Sequence, residues 1–120
     1  MSETKTILYV EDDADARRLL RFLLESEGYQ IKTCKTSEEG LETARQTNFS
    51  VIILDYYLPN INGVEICREI RTYDQETPII FYSGAAYHKD KEKGLAAGAQ
   101  AYLVKPNDFD KIIETIAQLT

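Results

Sequence analysis

Four branched apolar residues, Val51-Ile52-Ile53-Leu54, run straight into a carboxylate, Asp55, and on through Tyr56-Tyr57-Leu58-Pro59. A run that short, with no polar face, reads as a strand buried on both sides. Whatever sheet holds it must be covered on both faces. The acid at its end cannot stay buried without company, because an unpaired charge is costly in an apolar medium. Asp55 therefore belongs where the strand leaves the sheet, at the carboxyl-end crevice where open α/β sheets bind ligands. Taken alone, it reads equally well as the cap of a turn before Pro59.

Other strand ends decide between the two. Thr6-Ile7-Leu8-Tyr9-Val10 is a second buried run and closes on Glu11-Asp12-Asp13. Pro78-Ile79-Ile80-Phe81-Tyr82 closes on Ser83-Gly84-Ala85-Ala86, and Ala101-Tyr102-Leu103-Val104 on Lys105-Pro106. Tyr29 to Cys34 alternates instead: Tyr29, Ile31 and Thr33 oppose Gln30, Lys32 and Cys34. Alternation suggests a half-exposed strand, hence an edge.

Helical patterns fill the gaps. Ala16, Leu19, Leu20, Leu23 and Leu24 recur at helical spacing, with Asp13 as N-cap and Gly28 as stop. Thr36-Ser37-Glu38-Glu39 has capping-box spacing and opens a helix through Leu41 and Ala44 that ends near Asn48. After the loop Pro59-Asn60-Ile61-Asn62-Gly63, a helix from Val64 to about Arg71 buries Val64, Cys67 and Ile70. Tyr87 to Ala97 is helical but thinly apolar, with an unbroken charged run from Lys89 to Lys93, and is expected to be the least firmly docked. The last helix opens near Asn107 or Asp108 and buries Phe109, Ile112, Ile113 and Ile116. Strands alternating with helices argue a doubly wound α/β fold: a five-stranded parallel sheet, helices on both faces and right-handed crossovers. Residues 1–120 read as one domain.

Composition excludes other classes. Hydrophobic content of 43% and charged content of 28% are those of an ordinary globular protein. No apolar run approaches the roughly 20 residues that span a bilayer. The N-terminus has no secretory h-region, so a cytoplasmic location away from membranes is expected. A net charge of −6 argues against direct nucleic-acid binding. Cys34 and Cys67 lack metal spacing and read as reduced, partly buried filler. His88, the one histidine, sits in a charged stretch and reads as solvated, which leaves zinc chemistry without ligands.

Parallel strands point their carboxyl ends the same way, so Glu11, Asp12, Asp55, Ser83 and Lys105 fall on one edge of the sheet. Each has a bland reading: acids that cap a helix, a turn serine, a surface lysine. Asp13 keeps that reading. For the others it needs a coincidence at each of four strand ends. Crowded carboxylates repel, and they need a cation. Lys105 supplies one positive charge and a divalent ion the remainder; hard all-oxygen ligands suit Mg²⁺. A cation, an ammonium and a hydroxyl beside a carboxylate are equipment for phosphoryl transfer, with Asp55 as nucleophile. Tyr102, three residues before Lys105, fits core packing as well as switching.

Over essentially its whole length the sequence resembles the receiver domain of bacterial response regulators. The motifs are Ile7-Leu8-Tyr9-Val10-Glu11-Asp12, Ile52-Ile53-Leu54-Asp55 with Leu58-Pro59, Asn62-Gly63, Tyr82-Ser83-Gly84-Ala85, and Val104-Lys105-Pro106. Their joint order and spacing are specific; any one alone is weak. The resemblance implies a flavodoxin-like (βα)5 fold with strand order 2-1-3-4-5. It implies that Asp55 is the phosphoacceptor, and that Glu11, Asp12, Asp55 and the backbone carbonyl of Tyr57 hold Mg²⁺. Lys105 would contact the phosphoryl group, Ser83 would swing toward it, and Tyr102 would turn inward behind Ser83. The Lys105–Pro106 bond is expected cis. The donor would be a phosphohistidine on a sensor histidine kinase or histidine phosphotransfer protein. The helix 4–strand 5–helix 5 surface would signal to an output protein or domain. Such a domain assists only its own phosphorylation and dephosphorylation.

Two positions depart from the commoner family pattern. Asn107 follows Lys105-Pro106 where an apolar or aromatic residue is usual. Tyr57, two residues past Asp55, is large and aromatic, and is expected to hinder the hydrolytic water. Three rival readings have sequence features against them. A phosphatase resembling the haloacid dehalogenase group would carry a second Asp where Tyr57 stands. A scaffold that takes no phosphate would have no use for the intact acid, serine and lysine set. A flavin or dinucleotide binder would carry a glycine-rich loop after the first strand.

Overall fold

The computed structural model describes residues 4–120. Five parallel strands form one sheet in the order β2-β1-β3-β4-β5. They are β1 (Thr6–Val10), β2 (Gln30–Cys34), β3 (Val51–Leu54), β4 (Ile79–Ser83) and β5 (Ala101–Val104). The helices are α1 (Ala14–Ser26), α2 (Ser37–Gln46), α3 (Gly63–Arg71), α4 (His88–Ala96) and α5 (Ile112–Leu119), the last entered through a 3-10 turn at Phe109–Lys111. The expected fold class and strand order hold.

The apolar runs explain the layering. All four residues of β3 and all five of β4 are buried, and alternate side chains serve opposite faces. On one face Leu8, Val10, Ile52, Leu54 and Phe81 pack with Val64, Ile66, Cys67 and Ile70 of α3 and, half-buried, Leu41 and Ala44 of α2. On the other, Ile7, Tyr9, Val51, Ile53 and Ile80 pack with Leu20 and Leu24 of α1 and Ile112 and Ile116 of α5. Burying each such side chain is worth about 1.5–3 kcal/mol, and this commits the central strands to their position.

Several local expectations change. Leu19 is 58% exposed, because the buried stripe of α1 centres on Leu20 and Leu24 and Leu19 lies a third of a turn away. Cys34 is fully buried and packs in the core, not on a polar face of an edge strand. The helix α2 covers that face, and its Thr43 hydroxyl lies 3.5 Å from the Cys34 sulfur. Of the capping box at α2, the forward half is made, with Glu39 N donating to Thr36 Oγ1 at 3.1 Å; the helix stops at Gln46. The full reciprocal box belongs to α3, between Asn62 and Glu65. Phe109 and Ile113 are only half-buried, and Phe109, in the 3-10 turn, stands edge-on to Tyr82 at 6.4 Å. His88 is exposed and pairs with Glu92 at 2.6 Å.

Candidate functional site

The site lies where β1, β3, β4 and β5 end. Its residues close the strands or follow them, and the ladder still grips the backbones at these ends. Glu11 N donates to Cys34 O at 3.0 Å, Asp55 N to Val10 O at 3.2 Å and Lys105 N to Ser83 O at 2.9 Å. The side chains are thus aimed by the sheet and not by free loops, which is the rigid support a reacting group needs.

Glu11, Asp12 and Asp55 each offer a carboxylate oxygen within 4.8 Å of the others. Glu11 is 1% exposed and Asp55 7%, while Asp12 is open to solvent. The Lys105 ammonium is bonded to Glu11 Oε1, lies 3.7 Å from Asp55 Oδ2 and sits 5.6 Å from the centre of the Tyr82 ring. Two further donors serve Glu11: the Tyr9 hydroxyl on Oε1 at 3.1 Å and Asp13 N on Oε2 at 3.3 Å. Arg17 ties the β1–α1 turn by donating to the Glu11 carbonyl at 2.8 Å. Asp13 caps α1 from that turn, accepting from Ala16 N at 2.8 Å.

Three carboxylates face one ammonium. Partial burial, and then the neighbouring Glu11 carboxylate, raise the Asp12 carboxyl above its usual range, with Lys105 opposing. Burial, followed by the charge of Glu11, pushes the Tyr9 hydroxyl far above its usual range, so it stays a donor. The chemistry of the donor set, hard oxygens with an excess of negative charge in one cleft, fits a divalent cation of the Mg²⁺ kind.

The second half of the site is a hydrogen-bond link through Ala85. Ser83 is fully buried at the end of β4, and its Oγ accepts from Ala85 N at 3.2 Å. The Ala85 carbonyl accepts from the Tyr102 hydroxyl at 2.5 Å. The Tyr102 ring lies inward, stacked on Phe81 at 5.4 Å. Tyr57 points out, 59% exposed, edge-on to Tyr56 at 5.3 Å. The Lys105–Pro106 peptide bond is cis.

The loop after Asp55 is pinned from two sides. Gly63 N donates to Tyr56 O at 2.9 Å, and the buried Ser37 hydroxyl donates to Ile61 O at 2.5 Å. Sequence reading passed over Tyr9, Ser37 and the Asn62–Glu65 box. Tyr9 was recoverable, because it precedes Glu11 by two residues and so shares its face. The Asn62-x-x-Glu65 spacing was an equally visible signal. Ser37 carried none, since its partners are backbone carbonyls distant in sequence.

The family described as response regulator receiver domain matches residues 7–117. The chain belongs to that family. It is a receiver domain of two-component signalling. The receiver is 42% identical over 110 residues to the response regulator ArlR of Staphylococcus saprophyticus. That match takes in 92% of this chain and 50% of the relative, so the receiver spans about half the length of the protein it matches. Among solved structures it is similar to the response regulator TrrA of Thermotoga maritima in complex with Mg²⁺ and BeF. The TM-score there is 0.89 at 33% identity, over 98% of this chain and 100% of that one. It is also similar to the chemotaxis protein CheY4 of Vibrio cholerae, with a TM-score of 0.91 at 28% identity over 98% and 100% of the two chains. Among the described residues no helix is long and apolar enough to cross a membrane.

Proposed function

We propose that Asp55 accepts a phosphoryl group from a phosphohistidine on a sensor histidine kinase or histidine phosphotransfer protein, with Mg²⁺ beside it. The observation that carries this reading is the convergence of Glu11, Asp12 and Asp55 within 4.8 Å, with the Lys105 ammonium 3.7 Å from Asp55. An Asp55 carboxylate oxygen attacks phosphorus. The O–P bond forms as the P–N bond breaks, and the leaving imidazole keeps the bonding pair and takes a proton from solvent. Glu11, Asp12, Asp55 and the Tyr57 carbonyl would hold the Mg²⁺. When bound, the ion offsets negative charge on the phosphoryl oxygens. Lys105 supplies the second positive charge by leaving Glu11 for the phosphoryl group.

Ser83 turns its hydroxyl from Ala85 N to a phosphoryl oxygen. That turn releases the amide of the residue whose carbonyl holds Tyr102, so acceptor chemistry and the Tyr102 position share one loop. Phosphorylation adds roughly two negative charges. Those charges bias the α4, β5 and α5 surface between two arrangements, which an output protein or domain reads. The receiver turns over no free metabolite, and its place is the cytoplasm, where such kinases present their phosphohistidine. The test is incubation with a small phosphodonor and Mg²⁺ followed by intact mass. One phosphoryl group is added to the native chain and none to Asp55→Asn. Modification that survives the substitution places the acceptor elsewhere.

A further inference from the structure

Tyr9 is fully buried, and its hydroxyl reaches the same oxygen of Glu11, Oε1, that binds the Lys105 ammonium. The other oxygen, Oε2, is served by Asp13 N. Glu11 itself is 1% exposed. A carboxylate shut away from water must keep donors on its lone pairs. Of the two donors on Oε1, Lys105 is needed at the phosphoryl group. Tyr9 is held by β1 and packed among Ile7, Ile53 and Leu24, so it cannot follow.

We propose that Tyr9 is a positioning residue for phosphoryl capture: its hydroxyl stays on Glu11 Oε1 and keeps that carboxylate in place when Lys105 departs for Asp55. This rests on the reading of Asp55 as the phosphoacceptor. The consequence is a division of labour. With Lys105 on Glu11 the Tyr9 bond is partly redundant. With Lys105 on a phosphoryl group it is the remaining side-chain donor to Oε1. The cost of losing Tyr9 therefore falls on the phosphoryl-bound state and much less on the metal-bound one.

Tyr9→Phe keeps the ring and removes the oxygen. Native and variant receivers are titrated by calorimetry with Mg²⁺ alone, then with beryllium fluoride, a phosphoryl mimic, at saturating Mg²⁺. The Mg²⁺ dissociation constant is expected to change by less than about threefold. Beryllium fluoride binding is expected to weaken about tenfold, the loss of one hydrogen bond to a buried charge. An equal loss in both titrations marks a merely structural role and overturns the proposal, as does unchanged beryllium fluoride binding. A native receiver that takes Mg²⁺ but no beryllium fluoride overturns the Asp55 reading itself.

Discussion

Gly63 packs so closely on Asp55 that a side-chain carbon there would overlap the Asp55 carbonyl oxygen and lie 2.9 Å from the Phe81 ring. Gly63 is also the first residue of α3, capped by Asn62, which accepts from Glu65 N at 2.9 Å. The start of α3 is therefore a clamp on the backbone that carries Asp55, the proposed acceptor. Gly63→Ala should separate the two. Overpacking of this kind costs about 1–3 kcal/mol, measurable by denaturant unfolding. Asp55 should also be misplaced enough to slow the proposed phosphorylation by a small donor roughly tenfold or more, followed by intact mass. Native stability with a native rate would show that the contact is slack.

A second glycine bears on the proposed switch. A carbon added to Gly94 in α4 would lie 2.9 Å from Tyr102 Cδ2 and 3.0 Å from Phe81 Cδ2. The Phe81 ring is fixed in the core, whereas the Tyr102 ring is only half-buried and can leave. Gly94→Ala should therefore expel Tyr102, breaking its bond to the Ala85 carbonyl and its stacking on Phe81. The measurement is the Tyr102 ring proton shifts by NMR, which lose the Phe81 ring current, together with hydrogen exchange across α4 and β5. The phosphorylation-dependent change in exchange should shrink. Unmoved ring shifts would mean that α4 yields instead.

How much of this was legible beforehand follows from the kind of signal each feature leaves. The runs Ile7–Val10 and Val51–Leu54 are apolar throughout, because both faces of the sheet are covered, so they announce parallel strands and place Glu11 and Asp55 at one edge. Asp13 and Gly28 mark the ends of α1 through local chemistry. Leu19 and Cys34 misled, since periodicity gives the direction of a stripe but not how far its neighbours cover it. The core contacts of α4 are through Asp90 and Gly94, residues with no apolar signature, which is why its docking face could not be read from hydropathy. The role of Tyr9 emerges only when β5 brings Lys105 to the same oxygen of Glu11, a juxtaposition spanning 94 residues.

Tyr57 is the residue proposed to govern how long a phosphorylated state lasts. Its ring stands in solvent two residues after Asp55, braced edge-on by Tyr56 at 5.3 Å. We propose that a large ring so near Asp55 in sequence hinders the water that attacks an aspartyl phosphate. Tyr57→Ala should shorten the lifetime of the phosphorylated receiver several-fold, read as decay of the added mass after the donor is removed. Phosphorylation itself should proceed at close to the native rate. An unchanged decay would place the barrier to water elsewhere.

The loop between α3 and β4 supplies a pH test away from the cleft. Asp74 is pushed up by burial, but donors outweigh that: the Thr77 hydroxyl at 2.5 Å, Thr77 N and Glu76 N at 3.0 Å each, and the charge of Arg71. Its carboxyl is held below the usual range. A carboxyl with a depressed folded value stabilises the fold above its unfolded pKa of about 3.9, and that contribution is lost as pH falls through the folded value. Thr77→Val removes the hydroxyl donor and leaves the backbone ones. The Asp74 titration, followed by carboxyl carbon NMR, should move back toward the usual range. The variant should be less stable than the native receiver at pH 7, and the gap should close as the pH is lowered below about 4. A gap of constant size across that window would mean that the hydroxyl acts through packing and not through the charge on Asp74.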